Sequence, residues 1–449
     1  MTMIERIEKA GIVGVGGAGF PTHVKYKATD VDYLIVNAAE CEPLLNTDRY
    51  VMKNYALEVI KAIDIMKKEV GAKQAVIATK AYYKEGISAL QTAKETLKSD
   101  VELHLLENFY PSGDEQVMVY EVTGRVVPPA GIPLMVGCVV SNISTMLNIY
   151  YAVIEDKPVI SKRLTVTGVV SEPTLLEVPI GTPFEECLKA VGGTPLQNHL
   201  FIDGGPMMGR LHTQDDLAQK VVTKTTSGII VVEEEGYLKK LKYQTLEEIL
   251  TQTKTACIQC SLCTELCPRQ MLGHDVSPNE IMNYFAQSKE VDVVDNEILR
   301  GAQLCSSCGV CEVVSCPRGL SPRQVNNYVK GELAKQKVRY QADKEECITD
   351  SMRKFKTISP NNILIKMGLL SYAQRNLDEI KMVNVDEVFI PLNMHIGAPS
   401  IPIVNVGDEV NVGDLIAIAP EGALGANIHA SISGKLMSVS DNKLHIKKI

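Results

Sequence analysis

Eight of the twelve cysteines lie between Cys257 and Cys316, in two runs that constrain this chain more than any other feature. The first reads Cys257-x2-Cys260-x2-Cys263-x3-Cys267-Pro268; the second reads Cys305-x2-Cys308-x2-Cys311-x4-Cys316-Pro317. Thiolates are soft ligands, and three of them at steps of three let one loop wrap several corners of a cluster. Zinc sites usually show two separated pairs instead. The first run has the spacing of bacterial two-cluster ferredoxins, in which the fourth cysteine serves the other cluster. The second carries one extra residue before its last cysteine, which a ligand beyond the tight loop tolerates. The spacing assigns Cys257, Cys260, Cys263 and Cys316 to one [4Fe–4S] cluster and Cys305, Cys308, Cys311 and Cys267 to the other.

A repeat supports that pairing. After Cys267-Pro268-Arg269 comes Ser277-Pro278-Asn279-Glu280, and after Cys316-Pro317-Arg318 comes Ser321-Pro322-Arg323-Gln324. Both read as capping boxes with proline at the first helical position, so each cluster loop is expected to lead into a helix. The remaining cysteines, Cys41, Cys138, Cys187 and Cys347, are isolated; Cys138 lies in an apolar run and reads as core. His274, near the first run, reads as a surface or packing residue rather than one that tunes a cluster's potential.

At 449 residues the chain is expected to form two to four domains. Its formal charge of −8 argues against broad nucleic-acid binding, which needs a basic face. No apolar run reaches the length of a membrane helix, and Met1–Arg6 lacks the apolar core of a signal peptide. These features predict a cytoplasmic protein, with thiols kept for metal or redox chemistry rather than disulfides.

The pattern divides the chain into an α/β domain over 1–155, an α+β module over 158–235, the cysteine-rich segment over 245–338, a helical linker over 340–384 and an all-β domain over 385–449. In the first, strands at Tyr33–Val36, Ala75–Ala78 and Val101–Leu106 alternate with helices at about 48–70 and 84–98, which predicts βαβ units and a mostly parallel sheet. In the last, strands are expected at Val404–Val410, Leu415–Ala419 and Gly434–Val439.

Gly14, Gly16 and Gly19 fit G-x-G-x-x-G, with Phe20-Pro21 following. Such a loop is either a plain tight turn or a backbone cradle for a phosphate-bearing cofactor, with Lys25 to neutralise it. A polar segment, Asn37-Ala38-Ala39-Glu40-Cys41-Glu42-Pro43, follows the first strand directly. Ligands of open α/β sheets bind at that end of the strands.

Together these segments resemble a family of flavin and iron–sulfur NADH-oxidising subunits. It includes the flavoprotein subunit of respiratory complex I, the C subunit of the Rnf complex and the cobalamin reductases of propanediol-utilisation microcompartments. The glycine loop with Lys25, the Asn37–Pro43 segment, and Tyr110-Pro111-Ser112-Gly113-Asp114-Glu115-Gln116 leading to Thr123-Gly124-Arg125 carry the likeness. The resemblance implies a complex-I-flavoprotein-like FMN domain, a ubiquitin-like SLBB domain, a two-cluster ferredoxin domain and a C-terminal barrel-sandwich hybrid. The last is suggested by His395–Pro399 and Val406–Val410; it follows the clusters here, whereas in the Rnf protein it precedes the flavin domain. No lysine lies between Leu415 and Ser433, which argues against a swinging-arm carrier. The module reads as a docking or structural unit.

By the same resemblance FMN is contacted by Gly14, Gly16, Lys25, Asn37, Glu40, Tyr110, Gly113, Glu115, Asn142 and Thr145, and the nicotinamide nucleotide by Phe20 and Glu42. The likeness departs at Val15 and Ala39, where complex I has Arg and Asp, removing one permanent positive charge. The implied activity is NADH oxidation, with single electrons passing from FMN through two clusters to cobalamin or a protein acceptor. The alternative is an electron-transfer subunit of a partner reductase, such as proline reductase or methylenetetrahydrofolate reductase. Either way an oligomer or a place in a larger complex is expected, and the resemblance allows a place within a bacterial microcompartment.

Overall fold

The computed structural model describes residues 1–287, 296–341, 347–373 and 377–449. Parts of the expected cysteine-rich segment (288–295) and linker (342–346 and 374–376) therefore lie outside the described residues.

The first module is a parallel sheet of β1 (Tyr33–Ala38), β2 (Gln74–Lys80), β3 (Glu102–Leu106) and β4 (Cys138–Asn142), in the order β3-β2-β1-β4. Side chains alternate across it because successive Cβ atoms point to opposite faces. Leu34 and Val36 of β1 join the core under helices 47–54, 56–69, 84–97 and 143–154, while Ile35 joins a second core with Met118 and Val119 of helix 115–123. The chain winds outward from β1 to β3 and then returns to β1's other edge as β4. That reversal opens a crevice at the carboxyl ends of β1 and β4, where open α/β sheets bind ligands. The helix expected over 48–70 is two helices, Thr47–Asn54 and Ala56–Glu69. Between them Tyr55 leaves helical geometry, and its ring lies 4.8 Å from the Arg163 guanidinium.

The second module is a six-stranded sheet, β10-β6-β5-β9-β7-β8: β5 (Ser161–Gly168), β6 (Thr174–Pro179), β7 (His199–Asp203), β8 (Arg210–Thr213), β9 (Gly228–Glu233) and β10 (Ile380–Met382). The edge strand β10 comes from the stretch read in sequence as helical linker. It pairs parallel with β6, Ile380 opposite Leu175. Among its described residues the linker does contain an α-helix, Pro360–Met367.

The C-terminal module has two small sheets, β11-β17-β16-β13 and β12-β14-β15. These are β11 (Glu387–Pro391), β12 (Ile401–Pro402), β13 (Glu409–Val410), β14 (Leu415–Ile418), β15 (Ile428–His429), β16 (Gly434–Ser440) and β17 (Lys443–Lys447). All pairings are antiparallel. The strand expected over Val404–Val410 is confined to Glu409–Val410. Asp408 accepts from the Asn405 amide at 2.7 Å and closes a turn there instead. The cysteine-rich segment packs helices Leu246–Ala256, Pro278–Gln287 and Pro322–Lys335 around Ile281, Phe285, Val325 and Val329. Pro322 occupies the first turn as expected, but Ser321 makes no side-chain cap, so the second capping box is not formed.

Candidate active site

The glycine loop is closed at its base by a Val13–Pro21 bridge and by the Gly14 amide donating to the Phe20 carbonyl at 2.9 Å. A short helix, Thr22–Lys25, starts directly after Pro21. The Val15 amide donates to Thr145 Oγ1 at 3.0 Å, pinning the loop to helix Ile143–Ile154. Asn142 caps that helix, accepting from the Ser144 and Thr145 amides, and its Nδ2 donates to Asp48 Oδ2 at 2.7 Å. A Cβ on Gly16 would stand 2.9 Å from that Nδ2, so only glycine lets the loop approach Asn142 so closely.

Over this crevice lies a cavity of about 1320 Å³. Val15–Ala18, Asn37, Glu40, Cys41, Glu42, Asp48, Gly113 and Asn142 line one side. The opposite side comes from elsewhere in the chain: Lys162 and Arg163 of β5, Thr223–Ser227, and Asn393–Ile396 of the C-terminal module. Neither β5 nor the C-terminal module was expected from sequence to reach this site.

The buried charges form one group. Glu40 Oε2 accepts from the Asp48 and Arg49 amides, capping the helix at Thr47 where Asn46 makes no side-chain cap. Burial, and then the neighbouring Asp48, push the Glu40 carboxyl up to about 8. Asp48 is also raised by burial, against hydrogen bonds from Ser144 and Asn142. Lys162 faces this pair, lowered to about 8 by burial and held up in part by Asp48 and Glu40. Glu42, raised to about 7 by burial, accepts from the Met207 amide at 3.0 Å. Cys41 is pushed up to about 12 by burial and stays a thiol.

Of the residues singled out in sequence, Gly16, Asn37, Glu40, Glu42, Gly113 and Asn142 line the cavity together. Asn37 Nδ2 donates to the Gly113 carbonyl at 3.0 Å, joining two of the segments. Gly14 and Thr145 support the loop from behind. Lys25 lies just beyond the lining, its Nζ 2.8 Å from the Val140 carbonyl and 3.5 Å from Glu115. Phe20 is 36% exposed beside the loop. Tyr110 is buried, its hydroxyl donating to the Cys308 carbonyl at 2.8 Å and standing 3.4 Å from Glu42 Oε1. The Gly16 cradle, the polar group at the sheet's switch point and the cavity volume fit a flavin nucleotide.

The cysteine runs gather at two places in the fold. Cys257, Cys260, Cys263 and Cys316 line one small cavity. Cys311 lies within electrostatic reach of Cys305, Cys308 and Cys267. The two loops repeat in conformation: Gln259 and Ser261 match Ser307 and Gly309, all with positive φ. The extra residue of the second run is absorbed as a single π turn, Cys311–Ser315, where the first run has a short α-helix, Leu262–Glu265. A π turn is an α turn with one residue inserted. Among the described residues no group of three or more His, Cys, Asp or Glu is gathered tightly enough for a single metal ion. All-thiolate quartets at this spacing have the donor chemistry of iron–sulfur clusters. His274 is buried and bonds the Val127 carbonyl, as a packing residue does.

Comparison with known proteins accounts for each module. Residues 7–151 match the Nuo51 FMN-binding domain, 163–211 the SLBB domain, 256–321 the 4Fe-4S dicluster domain and 372–448 the RnfC barrel sandwich hybrid domain. Cobalamin reductase PduS of Salmonella typhimurium is 39% identical over 98% of this chain and 95% of its own. That of Citrobacter freundii is 40% identical over 99% and 96%. The chain belongs to the PduS family. The C subunit of the Na(+)-translocating ferredoxin:NAD(+) oxidoreductase complex of Acetobacterium woodii is a more distant relative of the PduS-type chain, 32% identical over 64% of it and 62% of the relative's own length. A chain of an NAD+-reducing [NiFe]-hydrogenase matches with a TM-score of 0.49 and 19% identity, over 76% of this chain and 63% of that one.

Proposed function

We propose that this chain is an NADH-oxidising flavin and iron–sulfur oxidoreductase that delivers single electrons to an acceptor, cobalamin being the acceptor that its PduS relatives' name indicates. The observation that carries the reading is the union, in one chain, of a nucleotide-sized cavity at a sheet switch point with two cysteine quartets. FMN, when bound, supplies the conversion between a two-electron hydride and single electrons, which no side chain can perform. The protein's share is binding, orientation and electrostatics.

In this reading Gly14, Gly16 and Thr145 shape the loop that cradles the flavin's phosphate end. Asn37, Glu40, Gly113 and Asn142 hold its polar edges, and Lys25 and Glu115 form an ion pair just outside. Tyr110 supports the cavity from behind Glu42. Phe20, exposed at the loop's mouth, offers a stacking face to the nicotinamide nucleotide. Glu42, with a pKa near neutral, accepts hydrogen bonds from it when ionised. Glu40, raised to about 8, keeps its proton near neutral pH, and the Lys162 charge offsets Asp48, so the site remains able to hold an anionic cofactor beside two carboxyl groups. The quartets Cys257/Cys260/Cys263/Cys316 and Cys305/Cys308/Cys311/Cys267 each hold one [4Fe–4S] cluster. We place the protein in the cytoplasm, as an oligomer or a component of a larger assembly. No helix among the described residues is long and apolar enough to cross a membrane.

The test is anaerobic purification followed by iron and flavin analysis and an NADH titration followed by visible absorbance. About eight iron atoms per chain, an extractable flavin, and both chromophores bleaching with NADH are expected. Iron without flavin, and no response to NADH, would leave a two-cluster relay fed by another donor.

A further inference from the structure

The two cysteine quartets stand in different surroundings. Cys267, Cys308 and Cys311 are 9%, 8% and 7% exposed, and Cys305, the fourth member of their quartet, is half-buried. In the other quartet Cys260 is at the surface, between Ile258 and Leu262, which are also exposed. The apolar core against which Cys257 and Cys316 pack is drawn from residues 249–338 alone. The buried quartet is instead tied to the cavity wall at three points. The Tyr110 hydroxyl joins the Cys308 carbonyl to Glu42. Asp114, next to the cavity-lining Gly113, accepts from Arg269, two residues beyond Cys267, at 2.9 Å. Met207 donates its amide to Glu42 and accepts, at its carbonyl, from Arg323, whose guanidinium also bonds Glu312 beside Cys311. Leu45, Tyr110, Met207, Cys308 and Val310 share one apolar cluster, with Cys41 packed against it.

We propose that electrons leave the cavity through the buried quartet and leave the protein through the exposed one, with Tyr110 as the positioning residue that couples the cavity to the buried quartet's loop. This rests on the reading of flavin and clusters given above. Each NADH oxidised to NAD+ releases two electrons and one proton. The proton passes to solvent, and the two electrons cross the exposed quartet singly, reducing two equivalents of a one-electron acceptor. Tyr110 presents the positive end of its O–H dipole to the Cys308 carbonyl, and donors directed at a cluster loop favour the reduced state. Gln259 plays the corresponding part at the other quartet, its Nε2 lying 3.4 Å from Cys257 Sγ.

The experiment is an anaerobic redox titration monitored by EPR on the full-length holoprotein, with Tyr110→Phe and Gln259→Leu. Tyr110→Phe is expected to lower the midpoint potential of one cluster and leave the other unchanged, while Gln259→Leu shifts the other. In freeze-quenched samples mixed with NADH, the Tyr110-sensitive signal is expected to rise before the Gln259-sensitive one, and several-fold more slowly in Tyr110→Phe. The proposal is overturned if both variants move the same cluster, if Tyr110→Phe moves neither, or if the Gln259-sensitive cluster fills first. If dithionite fills both clusters and NADH neither, the flavoprotein reading falls and the order falls with it; if NADH fills both with no lag, the order alone falls.

Discussion

Gly113→Ala tests whether the cavity wall is as closely packed as its geometry indicates. An alanine methyl there would stand 2.9 Å from Cys41 Sγ and 3.1 Å from Cys41 Cβ. Gly113 does not occupy the left-handed region, so the alanine backbone is unstrained and the new contact is the whole perturbation. Both separations fall short of the roughly 3.5–4 Å at which carbon atoms attract. Cys41 has little room to yield. It lines the cavity on one side and packs on the other against the cluster of Leu45, Tyr110 and Met207. Overpacking of this kind costs about 1–3 kcal/mol. Movement of Cys41 toward the cavity puts that cost on the flavin, weakening its binding roughly 5- to 150-fold. Quenching of FMN fluorescence by the apoprotein measures it. Cys41→Ala removes the sulfur and the shorter contact, so the double variant should recover about 1 kcal/mol or more, a coupling typical of touching residues. Flavin affinity within twofold of the parent in Gly113→Ala, or a double variant that binds no better than Gly113→Ala, would refute the reasoning.

Three further outcomes follow from buried charges. Lys224 is buried and donates to the carbonyls of Gly11 and Asn427, both at 2.6 Å; burial lowers it to about 7. The unfolded chain therefore binds a proton the folded chain lacks between about pH 7 and the ordinary lysine range. Stability should rise across that window by a few kcal/mol, on the order of 1.4 kcal/mol for each pH step between the folded and unfolded ionisations, and denaturant unfolding of Lys224→Met should lose the slope. Glu40 has the opposite sign. Raised to about 8, it holds a proton in the folded state that the unfolded chain releases, so its contribution falls as pH climbs from the usual carboxylate range toward 8. Glu40→Gln, which keeps an acceptor for the Asp48 and Arg49 amides, should flatten that part of the pH–stability curve. Arg323→Met leaves Glu312 buried without its guanidinium, which bonds it at 3.2 Å through both Nε and Nη2. A loss of about 3–5 kcal/mol is expected in anaerobic denaturation, most of it regained when Glu312→Leu is added.

What could be read from the sequence was local. Cluster ligands announce themselves because one loop supplies three of them at a fixed step, and the 48-residue offset between Cys257 and Cys305 repeats even the left-handed positions. The glycine loop and the Asn37–Glu42 segment were legible for the same reason: each is a few residues whose chemistry is needed in one place. The facing wall was not. Lys162 sits in a strand whose alternation gives no hint that its end reaches a carboxyl pair more than a hundred residues earlier in the chain. Thr223–Ser227 carry no motif, and His395–Ile396 pointed to the fold of the last module rather than to a site. The edge strand Ile380–Met382 was missed because three residues carry no periodicity, and its pairing with β6 is a tertiary event. The helix break at Tyr55 has no glycine or proline to mark it; the competing contact is Arg163, in another module.

The position of the C-terminal module in the chain need not decide its position in space. Asn427 donates its Nδ2 to the Glu8 carbonyl at 3.2 Å, and its own carbonyl shares Lys224 with Gly11. The module therefore rests on the end of helix Met3–Lys9 and on the turn that leads into the glycine loop. A Cβ on Gly19 would meet the His395 backbone at 3.0 Å and Thr225 at 2.9 Å, so the loop, the SLBB-type module and the barrel meet at one point. A barrel placed before the flavin module could be joined to this same surface through a short connection, because the surface lies beside the flavin module's first helix. The order of modules along the chain can then vary while the cavity keeps the same three walls. It follows that the barrel is better understood as a wall of the nucleotide cavity, held by one buried lysine, than as an appended docking unit.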